Sequence, residues 1–191
     1  MACRPKTHCQ IWMLLALFIG VAQANETAAP SHPGLREELV ELKRIDQGAR
    51  TSDTFSGSEM REMDIRNTAR LKDIIAKHGW PRKSMVGEDG ASAAWLLAQH
   101  ADQDPDFQLS VLRLMRELLP SGEAKASEYA YLYDRTHRPQ RYGTQGGCVG
   151  PGTWLPRDIE KPQSVDEERA AMKIQPPKLA AYIEMMNRQC K

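Results

Sequence analysis

His100, Asp134 and the polar run of residues 138–147 (RPQRYGTQGG) carry the side chains most able to do chemistry. Ala93, Leu96, Leu97 and His100 recur at helical spacing, so the imidazole falls on an apolar stripe. A buried imidazole needs a partner from another element, because an unsatisfied polar group costs about 1–3 kcal/mol. Two roles meet that need: a core histidine held by a carbonyl, or a pocket histidine acting as general base or ligand donor. Asp102 shares a face with Gln99 and Trp95, so it does not form a local pair with His100. Asp134 shares a face with Ala130 and Tyr131 and is expected to point inward, while Arg135 follows the stripe of Tyr131 and Leu132. An inward carboxylate must be paired or neutralised. Arg50, Arg66, His100 and Arg141 are its candidate partners, and the role is either a helix-locking ion pair or a catalytic acid.

The run after the helix of Asp134 offers amide, guanidinium, phenol and hydroxyl groups from Gln140, Arg141, Tyr142, Thr144 and Gln145. Gly143, Gly146 and Gly147 let such a loop turn sharply and fold back over a helical body. It then either binds a polar or anionic ligand or satisfies buried backbone groups as an anchor.

These residues support two functional readings. In the first, the protein is a small-molecule-binding or hydrolytic enzyme: His100 is a base or donor, Asp134 orients or donates, and Arg141 with Gln145 holds a polar or anionic group. Gln99, Asp102, Arg135, Gln140, Tyr142 and Thr144 complete that ligand-binding set. The sequence has no Gly-x-Ser-x-Gly elbow and no evident nucleophilic cysteine, so a covalent mechanism is unsupported. It has no CxxC or HxxxH either, and neither a metal nor a cofactor is expected. In the second reading the polar motifs form an internal network, and the protein is a non-catalytic helical binding domain. Its partner would be a small polar ligand or an envelope protein, for instance as an inhibitor or immunity factor. An open cleft lined by His100, Asp134 and Arg141 would favour the first reading; the same residues sealed and hydrogen-bonded would favour the second.

The elements expected to position these groups are helices. Leu35, Leu39, Leu42 and Ile45 mark one face of a first helix that carries Asp46, Gln47 and Arg50 near its end. A second covers residues 58–78, with Met60, Met63, Leu71, Ile74 and Ile75 as its apolar positions and Gly79 as its stop. A third covers residues 91–102, and a fourth starts at Asp104 as N-cap with Pro105 in its first turn. A fifth spans residues 123–136, ahead of the polar loop. Ser164 and Glu167 read as a capping box for a short helix to residue 172, and a last helix covers residues 178–189. No run alternates like a strand. The fold expected is all-α, a single compact domain (residues 34–191) of six to seven helices with a long polar loop after the fifth.

Ahead of that domain, Arg4 and Lys6 precede an uncharged apolar run at residues 11–21, which ends in Ala22-Gln23-Ala24. This is the layout of a signal peptide (residues 1–24), and the run is shorter than the ~20 residues of a membrane span. Residues 25–33 read as a flexible linker. The expected product is exported, periplasmic or extracellular, with no stable membrane anchor. The whole chain has 26 basic and 25 acidic residues. Loss of Arg4 and Lys6 would leave a net charge of about −1, too little field to recruit nucleic acid. Two of the four cysteines would remain, Cys148 and Cys190. In an oxidising compartment they are expected to form a disulfide; the alternative is two buried thiols.

Several short motifs occur in a fixed order: Asp46-Gln47 with Arg50, Gly79-Trp80-Pro81, Val86-Gly87, Trp95 ahead of Gln99-His100-Ala101-Asp102, Asp134-Arg135, and residues 140–145 (QRYGTQ). Together they resemble an uncharacterised bacterial domain-of-unknown-function family with GWP, QHAD and QRYGTQ signatures. Trp154-Leu155-Pro156 and Asp158-Ile159-Glu160 look like its continuation. The resemblance covers about residues 35–182 and implies no established activity. It does imply that His100, Asp134 and the QRYGTQ loop form one set. The glycine-rich stretch with Cys148, the terminal Cys190 and Pro156-Arg157-Asp158 depart from the family pattern.

Overall fold

The computed structural model describes Met1 and residues 29–52 and 54–191. Apart from Met1 and residues 29–33, the leader and linker lie outside them. Seven helices occur among the described residues, in the order α1 (Pro33–Arg50), α2 (Gly57–His78), α3 (Lys83–Gln99), α4 (Pro105–Leu118), α5 (Ala126–Thr136), α6 (Val165–Ala171) and α7 (Leu179–Asn187). Between α5 and α6 lies an antiparallel hairpin, β1 (Gly146–Gly150) with β2 (Thr153–Pro156). The chain is therefore mostly α, and the all-α expectation is corrected by this hairpin. No helix among the described residues is long and apolar enough to cross a membrane.

Helices α1 to α5 share the main core. Leu39, Leu71, Ile74, Trp80, Val86, Leu97, Val111, Met115 and Leu132 are all buried in it. Each large aliphatic side chain so buried contributes roughly 1.5–3 kcal/mol. Two smaller clusters continue outward: Ala130, Tyr142 and Ile174, then Trp154, Tyr182 and Cys190. Tyr131 packs against both and joins them.

Local chemistry explains the helix ends. Asp104 caps α4, accepting from the Phe107 N–H at 3.1 Å, with Pro105 in the first turn. The capping box sits at Ser56 and Glu59 ahead of α2. The one expected at Ser164 and Glu167 does not form: Ser164 makes no cap bond, and a 3-10 turn (Pro162–Ser164) leads into α6 instead. The third helix starts earlier than expected, at Lys83, and breaks inside at Gly87, where φ is 72°. That left-handed conformation suits glycine, and a Cβ there would stand 2.9 Å from Asp89 Oδ1. The same helix ends at Gln99, so His100 is its C-cap and Asp102 lies beyond it. Ile45, expected on the inner face of α1, is exposed, and Asp46 is buried beside that position.

The hairpin escaped the sequence reading because β1 is GGCVG, which has neither alternation nor β-forming side chains beyond one valine. Its position is secured from outside. Cys148 and Cys190 form a disulfide. The Gly152 N–H donates to the Cys190 carbonyl at 2.8 Å, and the Trp154 N–H donates to Asn187 Oδ1 at 2.7 Å.

The bridge spans a sequence separation of 42 residues. Chain-entropy arguments give a loop of that length about 4 kcal/mol at most. Replacing both cysteines by serine should lower the unfolding free energy by about 2–4 kcal/mol in urea titrations, and reductant should do the same to the wild type.

Candidate functional site

The expected site residues fall into separate groups. Asp134 on α5 is 1% exposed and faces the returning loop. Its Oδ1 accepts from the N–H groups of Arg141 at 2.8 Å and Tyr142 at 3.0 Å. Its Oδ2 accepts from the Thr144 N–H and the Thr144 hydroxyl, both at 2.9 Å. Among the described residues no arginine pairs with it. Of the candidate cations, Arg50 and His100 bond Asp46, Arg66 lies near Glu62, and the Arg141 guanidinium holds Glu168. A carboxylate met by several backbone donors is as well satisfied as one in an ion pair. Gly143 sits at the turn with φ 66°, and a Cβ there would meet Leu179 Cδ1 at 2.8 Å.

Gln140, Tyr142, Thr144 and Gln145 are sealed as well, whereas the Arg141 side chain is exposed. Gln140 Nε2 donates to the carbonyls of Gln145 and Arg157, each at 2.8 Å, and Gln140 Oε1 accepts from the Gln145 N–H at 2.8 Å. Gln140 also pairs by its main chain with the segment around Ile159. Tyr142 is buried, and burial pushes its hydroxyl up to about 12. Beneath it lies Arg169, fully buried, which donates to the carbonyls of Tyr142 and Pro176 at 2.8 Å and of Pro177 at 3.2 Å. Its guanidinium lies 4.6 Å from the Tyr182 ring centre. Burial moves Arg169 down from the usual arginine range. Arg169 was missed in the sequence, although its i, i+4 relation to Val165 places it on an inward face.

Asp102 and Arg135 form a bidentate ion pair that ties the end of α3 to α5. Arg135 also donates to Gln145 Oε1 at 3.3 Å, and Gln108 Nε2 donates to the Gln99 carbonyl at 3.3 Å. The side-chain Oε1 of Gln99 is buried and has no hydrogen-bond partner among the described residues.

His100 belongs to a different group. Its Nδ1 lies 3.1 Å from Asp46 Oδ1, so α1 supplies the partner where a carbonyl was one expectation. Asp46 is fully buried and also receives Gln47 Nε2 at 2.7 Å and Arg50 at 3.1 Å. Burial alone would push the Asp46 carboxyl up; the bonds from His100, Arg50 and Gln47 overcome this and hold it at about 2. Arg50 in turn bonds Asp64 of α2, whose carboxyl burial pushes upward. One atom each of Asp46, Asp64 and His100 lies within 4.8 Å of the others, a donor set that could hold a cation. Arg50 already supplies positive charge to both carboxylates. The structure thus does not unite His100 with Asp134; they answer to different partners. Asp46 was legible, since it continues the inward stripe of Leu39 and Leu42, but the reading placed Ile45 there.

A family of unknown function (DUF6624) matches residues 33–190, and the chain belongs to it. No curated protein and no solved structure matches.

Two outcomes follow from these groups. Asp134→Ala strips the acceptor from three backbone N–H groups and should cost about 3 kcal/mol or more in chemical denaturation. Asp46 has a folded pKa below its unfolded one, so its stabilising share is fully present above about pH 4 and is lost as pH falls through about 2. The melting-temperature gap between wild type and Asp46→Asn should therefore narrow steadily between roughly pH 5 and pH 2.

Proposed function

We propose that this family member is an exported, non-catalytic binding domain whose signature residues build an internal polar frame. One observation carries the reading: the Asp134 carboxylate is consumed by donors from residues 141, 142 and 144, leaving it no reach to a substrate. Gln140, Thr144 and Gln145 are likewise buried and bonded within the frame. The leader-like residues 1–24 and the Cys148–Cys190 bridge support export into an oxidising compartment.

A second reading has one observation in its favour. Asp46 holds His100 by Nδ1, the arrangement in which a carboxylate fixes the tautomer of a general base. The imidazole is only partly exposed, and Arg50 and Asp64 crowd the same corner. This supports a helix-joining role over turnover, because α1, α2 and α3 meet there.

His100→Gln separates the two readings. The non-catalytic reading expects a melting temperature lower by several degrees and unchanged binding of any ligand found by thermal-shift screening. Turnover of an ester, amide or phosphoester that His100→Gln abolishes at unchanged melting temperature would assign the residue to catalysis instead.

A further inference from the structure

The polar loop that began as a candidate ligand site builds a cleft on its outer side. A cavity of about 710 Å³ opens against His137, Arg138, Pro139, Gln140, Arg157 and Asp158. A second, of about 260 Å³, shares His137 and is bounded by Arg113, Arg116, Tyr129 and Tyr133. Tyr133 and His137 stack at 3.9 Å between ring centres, 4° from parallel, and form the shelf between the two.

Charge is unevenly spread along this groove. Arg135 and Arg141, close by, are neutralised by Asp102 and Glu168. Arg113, Arg116, Arg138 and Arg157 have no ion pair among the described residues, and Asp158, at the larger cavity, is the one carboxylate among the residues lining the two. The chain as a whole is nearly charge-balanced, so this concentration of guanidinium groups is local. Burial first, and then the neighbouring cations Arg138 and Arg135, move Arg157 down from the usual arginine range, against a smaller opposing pull from Asp102.

The backbone under these arginines is held rigidly. Gln140 binds the Arg157 carbonyl through its side chain and the Asp158 carbonyl through its main-chain N–H, the latter at 2.9 Å. The Arg157 N–H donates to the Gln145 carbonyl at 2.9 Å. Both side chains of the pair Arg138 and Arg157 are exposed, so the frame fixes where they start and leaves their guanidinium groups free to meet a ligand. Guanidinium groups match oxyanions of the phosphate type with paired hydrogen bonds, and a fixed backbone lowers the ordering cost of binding.

We infer that the groove running from Arg157 and Arg138 past His137 to Arg113 and Arg116 binds a small ligand carrying two or more phosphate-type groups. The inference rests on the binding-domain reading and names its ligand class.

Titration calorimetry of the full chain, disulfide intact, with inorganic pyrophosphate tests it. The expected result is saturable binding that persists against sodium chloride of matched ionic strength. Arg138→Gln and Arg157→Gln should each weaken it about 10-fold. Both residues are exposed and Arg157 serves the frame through its main chain, so the variants should melt with the wild type. No heat beyond the salt control, or equal affinity in both variants, overturns the site. Hydrolysis of pyrophosphate that depends on His100 would sink the non-catalytic reading and leave the groove standing; absent binding without turnover does the reverse.

Discussion

A carboxylate cannot be taken out of water without donors to replace the water, and Asp134 meets that requirement with the backbone of its own chain. Because its partners lie 7 to 10 residues downstream, the loop after α5 has one way to turn. That turn brings Tyr142 inward, presents its carbonyl to Arg169, and sets Gln140 against the segment at residues 157–159. The hairpin and the last two helices are then placed on the helical body through this loop and through Tyr131 of α5, which packs against Tyr182 of α7. A buried charge is an expensive anchor, but it tolerates no alternative arrangement, because any other turn leaves the charge unsolvated.

The two buried ions of this region use the same solution with opposite sign. Asp134 is surrounded by N–H groups and a hydroxyl, Arg169 by three carbonyls and an aromatic face. Neither relies on the other as its direct partner. Main-chain dipoles thus solvate both charges. The group at His100 differs: there Asp46, Arg50 and Asp64 alternate in sign across α1 and α2, and the imidazole joins them from the end of α3.

Much of the helical frame was legible in the sequence because it follows from periodicity and caps: Leu39, Leu71, Ile74 and Met115 are buried where their spacing puts them, and Asp104 caps α4. The inward direction of Asp134 was legible for the same reason. Its partners were not, since the expectation looked for a cation among side chains and the answer lay in N–H groups that every residue carries. Asp46 lay on the legible stripe of Leu39 and Leu42, but the more apolar Ile45 next to it drew the expectation instead. The β1 strand was hidden because GGCVG carries no strand pattern of its own, and the contacts that hold the hairpin in place, the disulfide and the Asn187 bond to Trp154 of β2, come from far along the chain. Sequence spacing reports which face a residue occupies, but which distant element comes to meet that face depends on tertiary packing.

The bond between Cys148 and Cys190 also makes the last quarter of the molecule a closed covalent ring that contains β2, α6 and α7. A single proteolytic cut inside that ring leaves no released fragment, because both pieces stay covalently attached through sulfur. The solvent-facing stretch at residues 160–163 is where such a cut would fall most readily. In an environment rich in proteases the ring therefore gives the protein a form of damage tolerance that its helical body, open at every peptide bond, does not possess.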